Sequence, residues 1–126
     1  GRSEQSPSVG TVLDERLVTE LRAVPEEVRV DDDLLEYMAN VASETREDRR
    51  VQVGVSPRGT QRLFEATRAY AAMNGREFVT PDDVKRVAHP VLAHRVVLTP
   101  DAQVNNVSKS SVVDRVLDDV PVPTVE

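Results

Sequence analysis

Cysteine, tryptophan and isoleucine do not occur among the 126 residues. Without cysteine there is no disulfide framework, no thiolate zinc site and no thiol nucleophile. Two histidines, His89 and His94, are too few for a histidine-based metal cluster. Their spacing of five also misses the four-residue step that pairs two ligands along a helix. Both read as helix-surface or helix-end residues. Aromatics make up 3% (Tyr37, Phe64, Tyr70 and Phe78), so the core has to be built from Val, Leu and Ala. No apolar run approaches the roughly 18 residues of a membrane span, and the opening residues lack the basic-then-apolar pattern of a secretory leader. Phosphate loops of the types G-x-x-x-x-G-K-[ST] and G-x-G-x-x-G are missing, as are G-x-S-x-G and H-E-x-x-H. Carboxylates are plentiful, yet no acid pair stands out. The expectation is no catalytic residue and no metal ligand set in this chain.

Twenty-two acids against 16 basic residues give a net charge of −6. A duplex-DNA binder usually carries a basic domain or face, and the chain as a whole does not. One stretch is basic: Arg46, Arg49, Arg50, Arg58, Arg62 and Arg68 against Glu47, Asp48 and Glu65.

Periodicity predicts an all-α fold, a small bundle of about five helices with at most very short strands. Residues 1–10 are polar and rich in Ser, a flexible lead-in or tag remnant. The Gly at position 1 suggests a piece cut from a longer protein. Residues 11–120 form the helical domain and 121–126 an extended tail. The first helix covers 11–24, with Leu13, Leu17, Leu21 and Val24 on one face, and Pro25 stops it. A short extended piece runs through Val28 and Val30. Asp31, Asp32 and Asp33 form a capped start to the next helix, whose dipole favours acids there. A metal site is the other reading of these three, and it lacks calcium-loop spacing. Leu34, Tyr37, Met38, Val41 and Ala42 face the core, and the helix ends near Arg46. Ser56 caps and Pro57 starts the following helix, with Leu63, Phe64, Thr67, Tyr70 and Ala71 as its stripe and Gly75 as its stop. Tyr37 and Tyr70 read as core residues with satisfied hydroxyls. Thr80-Pro81-Asp82-Asp83 repeats the start signal, leading to Val84, Val87, Ala88, Val91 and Leu92. Pro90 inside that stripe means a kink or an immediate restart. Val96–Leu98 is a short apolar end, and 99–107 a loop. Ser108 opens the last helix, with Val112, Val113, Val116, Leu117 and Val120 inward.

Residues 53–98 carry a set of motifs: a G-x-S-P-R helix start (Gly54–Arg58), G-R-aromatic-V-T-P-D-D-V (Gly75–Val84) and P-V-L-A-H-R (Pro90–Arg95). With YMANVASETR (37–46) and the terminal DDVPVP (118–123), the segment resembles the C-terminal helical lid of the MoxR family of AAA+ ATPases. The resemblance covers residues 17–123. It implies that a missing α/β domain binds ATP with magnesium, that the lid closes over the nucleotide, and that Arg58 is the second-sensor arginine reaching its phosphates. Ser56 and Pro57 would support that helix start. Arg46 is open to three roles: facing the nucleotide, facing the next subunit, or complementing its own helix C-terminus. The implied parent is a cytoplasmic, chaperone-like ring whose partners are its own α/β domain, neighbouring subunits and a von Willebrand factor A-type protein, with no nucleic acid and no membrane span. The alternatives are a nucleic-acid-binding helical module, histone-like or winged-helix, because FVTPDDV also suits the end of a histone fold, and a stand-alone protein–protein adaptor.

Overall fold

A computed structural model describes residues 28–124. The helix expected over 11–24 lies outside the described residues. In chain order the elements are α1 (Asp32–Glu47), β1 (Val51–Val53), α2 (Pro57–Met73), α3 (Pro81–Leu92), a 3-10 turn (Ala93–Arg95), β2 (Val97–Leu98), α4 (Pro100–Val104) and α5 (Lys109–Asp119). Among the described residues this is an all-α bundle with one two-stranded scrap of sheet, as expected.

Local chemistry sets the helix ends. Ser56, Thr80, Thr99 and Ser108 each accept a hydrogen bond from the backbone amide three residues on, satisfying a donor that the helix itself leaves open. At the end of α2, Gly75 adopts φ 76°. Its amide reaches Ala72 O at 3.0 Å, and the Arg76 amide reaches Ala71 O at 3.0 Å. That paired closure needs a left-handed residue, which glycine supplies without a Cβ penalty.

The apolar stripes meet in one core. Leu34, Tyr37, Met38, Val41 and Ala42 of α1 are buried with Leu63, Ala66 and Ala69 of α2. Val84, Val87, Ala88, Val91 and Leu92 of α3 and Val112, Val113, Val116 and Leu117 of α5 complete it. α3 packs along α2, and α5 against both α1 and α3. Each such Val, Leu or Met side chain stabilises the fold by about 1.5–3 kcal/mol on full burial, so the bundle holds with little aromatic bulk.

The structure corrects or sharpens five expectations. Residues 99–107 are not all loop: Thr99 caps α4, with Pro100 as its first residue. This is a third use of the Thr/Ser-Pro start, in a helix too short to carry an apolar stripe: only Ala102 is buried. Asp31 stands at the N-cap of α1 but makes no side-chain cap. Its carboxylate accepts from Arg29 Nε at 3.2 Å instead. The Tyr37 ring is buried as expected, but its hydroxyl has no hydrogen-bond partner among the described residues. Asp83 is more than a cap, because it also holds Arg76. Pro90 neither stops α3 nor splits it: the helix reaches Leu92 and tightens into the 3-10 turn, where Arg95 Nη1 donates to Val91 O at 2.6 Å.

Two pairings fix the connections. β1 and β2 are antiparallel, Val51 opposite Leu98 and Val53 opposite Val97. They tie the stretch leading into α2 to the stretch leaving the 3-10 turn. Residues 28–30 run extended beside the α2–α3 connection, with Arg29 N donating to Glu77 O at 2.8 Å and Val79 N to Arg29 O at 2.9 Å.

Candidate functional site

The start of α2 is the best-defined polar feature among the residues singled out by sequence. Ser56 Oγ accepts from Gly59 N at 3.1 Å, and Ser56 O receives Thr60 N at 2.9 Å. Pro57 has no amide to leave unpaired. The Arg58 amide and the positive end of the helix dipole therefore face outward, a setting that favours an anion. Arg58 itself is exposed. It makes no hydrogen bond or ion pair to any described residue, so its guanidinium is spent on nothing within the described bundle.

The turn ahead of it is held from α1. Val55 is fully buried. Its amide donates to Thr45 Oγ1 at 2.9 Å, and its carbonyl accepts from Arg46 Nε at 2.9 Å. Gly54 lies flat on α1: a Cβ there would sit 2.7 Å from Arg46 Cγ and 2.8 Å from Arg46 Cα. Gly59 is enclosed on its other side, where a Cβ would meet Val55 Cγ1 at 2.8 Å and Arg95 Cδ at 3.0 Å. Both glycines of the G-V-S-P-R-G stretch are thus required by close approach.

A groove of about 660 Å³ runs between α1 and α2. Leu35, Met38 and Phe64 give it apolar walls, and Asn40, Ser43 and Arg46 polar ones. Arg58 is not among its lining residues. The two arginines singled out by sequence are therefore linked through Val55 and do not line this groove together.

Much of the basic stretch is engaged locally. Arg50 donates from Nε to Asp48 Oδ1 at 3.0 Å and from Nη2 to Asp48 Oδ2 at 2.8 Å. These bonds hold the Asp48 carboxyl below its usual range against the opposing effect of partial burial. Arg68 lies over the Phe64 ring, 5.8 Å from its centroid. His89 is half-buried and joins α3 to α5, Nε2 to Asp114 Oδ1 at 2.7 Å and Nδ1 to Ser110 Oγ at 3.2 Å. Sequence reasoning missed this link because it spans more than twenty residues. No group of three or more His, Asp or Glu among the described residues could hold a metal ion. The Arg58 side chain and its own amide are chemically suited to a phosphate oxygen; the magnesium expected with ATP finds no ligand set among the described residues. None of the described helices is long and apolar enough to cross a membrane.

Comparison with known proteins identifies the class of this small helical bundle. The chain belongs to the AAA lid domain family, whose profile matches residues 43–116. It is 38% identical over 96 residues to the uncharacterized protein YeaC of Bacillus subtilis, covering 76% of this chain and 30% of that protein. It is 37% identical over 101 residues to the chaperone MoxR1 of Mycobacterium tuberculosis, covering 73% of this chain and 27% of that protein. In structure it is similar to an inferred ATPase from Cytophaga hutchinsonii, with a TM-score of 0.75 at 25% identity over 84% of this chain and 34% of that one. The expected resemblance to MoxR-type lids is therefore shown. The chain spans about a third or less of the length of these relatives.

Proposed function

We propose that this chain is the lid of a MoxR-like AAA+ ATPase, closing over ATP held with magnesium in an α/β domain of the same parent protein. The observation that carries this is Arg58, exposed and unpaired among the described residues in the first turn of a capped helix. Phosphate charge on a bound nucleotide would draw Arg58 inward and favour the closed lid. Hydrolysis would weaken that pull. Only a difference in affinity between open and closed forms can drive such a shift. The lid angle would then alter packing between neighbouring subunits of a ring, and so drive chaperone-like work on protein partners, a von Willebrand factor A-type protein among them, in the cytoplasm. The lid has no chemistry of its own and is expected not to hydrolyse ATP in isolation.

The test is Arg58→Ala in the full-length protein, with steady-state turnover and nucleotide affinity both measured. Loss of a charged hydrogen bond to phosphate costs about 1.5–3 kcal/mol, which is roughly a ten- to hundredfold effect on one or both. Unchanged values for both would remove the assignment. No observation in the fold favours the adaptor or nucleic-acid alternatives. Steeply salt-dependent DNA binding would revive the latter.

A further inference from the structure

We propose that Thr45 and Arg46 are positioning residues for Arg58: consecutive side chains on the last turn of α1 clamp both backbone polar groups of Val55, and so set the turn from which α2 projects its arginine. This rests on the nucleotide-contacting role proposed above for Arg58.

Val55 is three residues ahead of Arg58 and is completely buried. A buried amide or carbonyl without a partner costs about 1–3 kcal/mol, and no helix or strand supplies partners at this position. Thr45 supplies one. It is completely buried, and its hydroxyl donates to Ala42 O at 2.6 Å while accepting from Val55 N at 2.9 Å. Its rotor is fixed from both ends. Arg46 supplies the other through Nε. One nitrogen of its guanidinium is thereby committed inward, while its aliphatic stem covers Gly54.

The clamp has a counterpart. On the other side of the turn, the Arg95 stem lies against Gly59, and Arg95 is anchored to the end of α3 through Val91 O. The segment 54–59 is thus gripped from α1 and from the 3-10 turn, with exposed Arg58 between the two grips. A group that must meet a phosphate gains from this. Misplacement by about 1 Å can cost a hundredfold in a closed site. The arrangement gives Arg46 a role that differs from direct nucleotide contact: it acts through the turn.

The experiment is a double-mutant cycle in the full-length protein. Thr45→Val keeps the shape of the side chain and removes the acceptor for Val55 N; Thr45→Ser retains that acceptor. ATP affinity and turnover are read for Thr45→Val, Thr45→Ser, Arg58→Ala and Thr45→Val with Arg58→Ala, at a temperature where circular dichroism shows each variant folded. The expected result is a loss of affinity of roughly five- to tenfold for Thr45→Val, recovery with Thr45→Ser, and no added loss on the Arg58→Ala background. Normal nucleotide binding by Thr45→Val, with Arg58→Ala impaired, would overturn the positioning role and leave the proposed function standing. A full additional loss in the double variant would also overturn it, because the clamp would then act independently of Arg58. If Arg58→Ala itself changes nothing, the reading beneath the inference fails and the inference with it. Should Thr45→Val not fold, Arg46→Met runs the same cycle, keeping the stem over Gly54 while deleting the Nε donor.

Discussion

Arg76 and Asp83 face each other across the α2–α3 connection in a two-point ion pair, Nη2 to Oδ1 at 2.6 Å and Nη1 to Oδ2. The Asp83 side chain is only 2% exposed, the Arg76 side chain 30%. Asp83 does three tasks: its carboxylate receives the guanidinium and accepts from Thr80 N at 2.8 Å, and its backbone amide donates to Thr80 Oγ1. The pairing pushes the Arg76 guanidinium above its usual range. Because the residue after Gly75 starts the connection and Asp83 lies in the first turn of α3, the bond fixes how the two helices join.

Replacing Asp83 with Ala removes half of a capping box and an ion pair together. The expected loss is about 2–3 kcal/mol, the arginine being free to turn partly toward water. Urea denaturation at neutral pH reads it as a lower midpoint with an unchanged slope. Arg76→Ala leaves the cap intact and is expected to cost less. Equal costs for the two variants would show that the cap contributes nothing beyond the pair.

Acid should dissolve a second pair selectively. Arg50 holds Asp48 below the usual carboxylate range, so the folded chain takes up a proton there less readily than the unfolded chain, where Asp titrates near ~3.9. The stability Asp48 adds is fully present above that value and is lost as pH falls from it through the lower folded value. At neutral pH, Asp48→Ala is expected to lower stability by about 1 kcal/mol, given the partial exposure of the pair. Below about pH 4 the gap should close. A gap of the same size in strong acid would show that the carboxylate charge is not its source.

Tyr37 makes the opposite case. Burial raises its phenol above the ordinary value, and its hydroxyl has no partner among the described residues. Up to about pH 10, where an unfolded tyrosine begins to ionise, it adds no pH dependence. Above that, the unfolded chain loses the proton first and stability falls. Tyr37→Phe removes an unpaired polar atom, so it should leave stability at neutral pH unchanged or raise it by up to about 1 kcal/mol. It should also flatten the alkaline decline. Destabilisation by Tyr37→Phe would show that the hydroxyl is hydrogen-bonded in the folded chain and overturn this reading.

The helix stripes were legible because they depend on neighbours three or four places away. All five inward residues predicted for α3, and all five predicted from Val112 to Val120, are buried. The stripe of α2 was less accurate, since Phe64 and Tyr70 are half-buried. The Ser56 and Thr80 starts were readable for the same local reason, and Thr99 carried the same signal unread. Arg46, Asp83 and His89 were not legible. Each meets a partner whose position depends on how the chain returns: Val55 after nine residues, Arg76 around a glycine turn, Asp114 after twenty-five. At the start of α2, sequence marked Arg58 and its cap, while the close approach at the two glycines and the Thr45–Val55 bond depend on how the turn folds back onto α1 and the 3-10 turn.

The extended residues 28–30 have a mechanical consequence. They are stitched by two backbone bonds to Glu77 and Val79, at the far end of α2 from Arg58. α2 has 17 residues, a rod about 25 Å long. A force applied at residue 28 would therefore load the α2–α3 connection, at the opposite end of the rod from the gripped turn that carries Arg58.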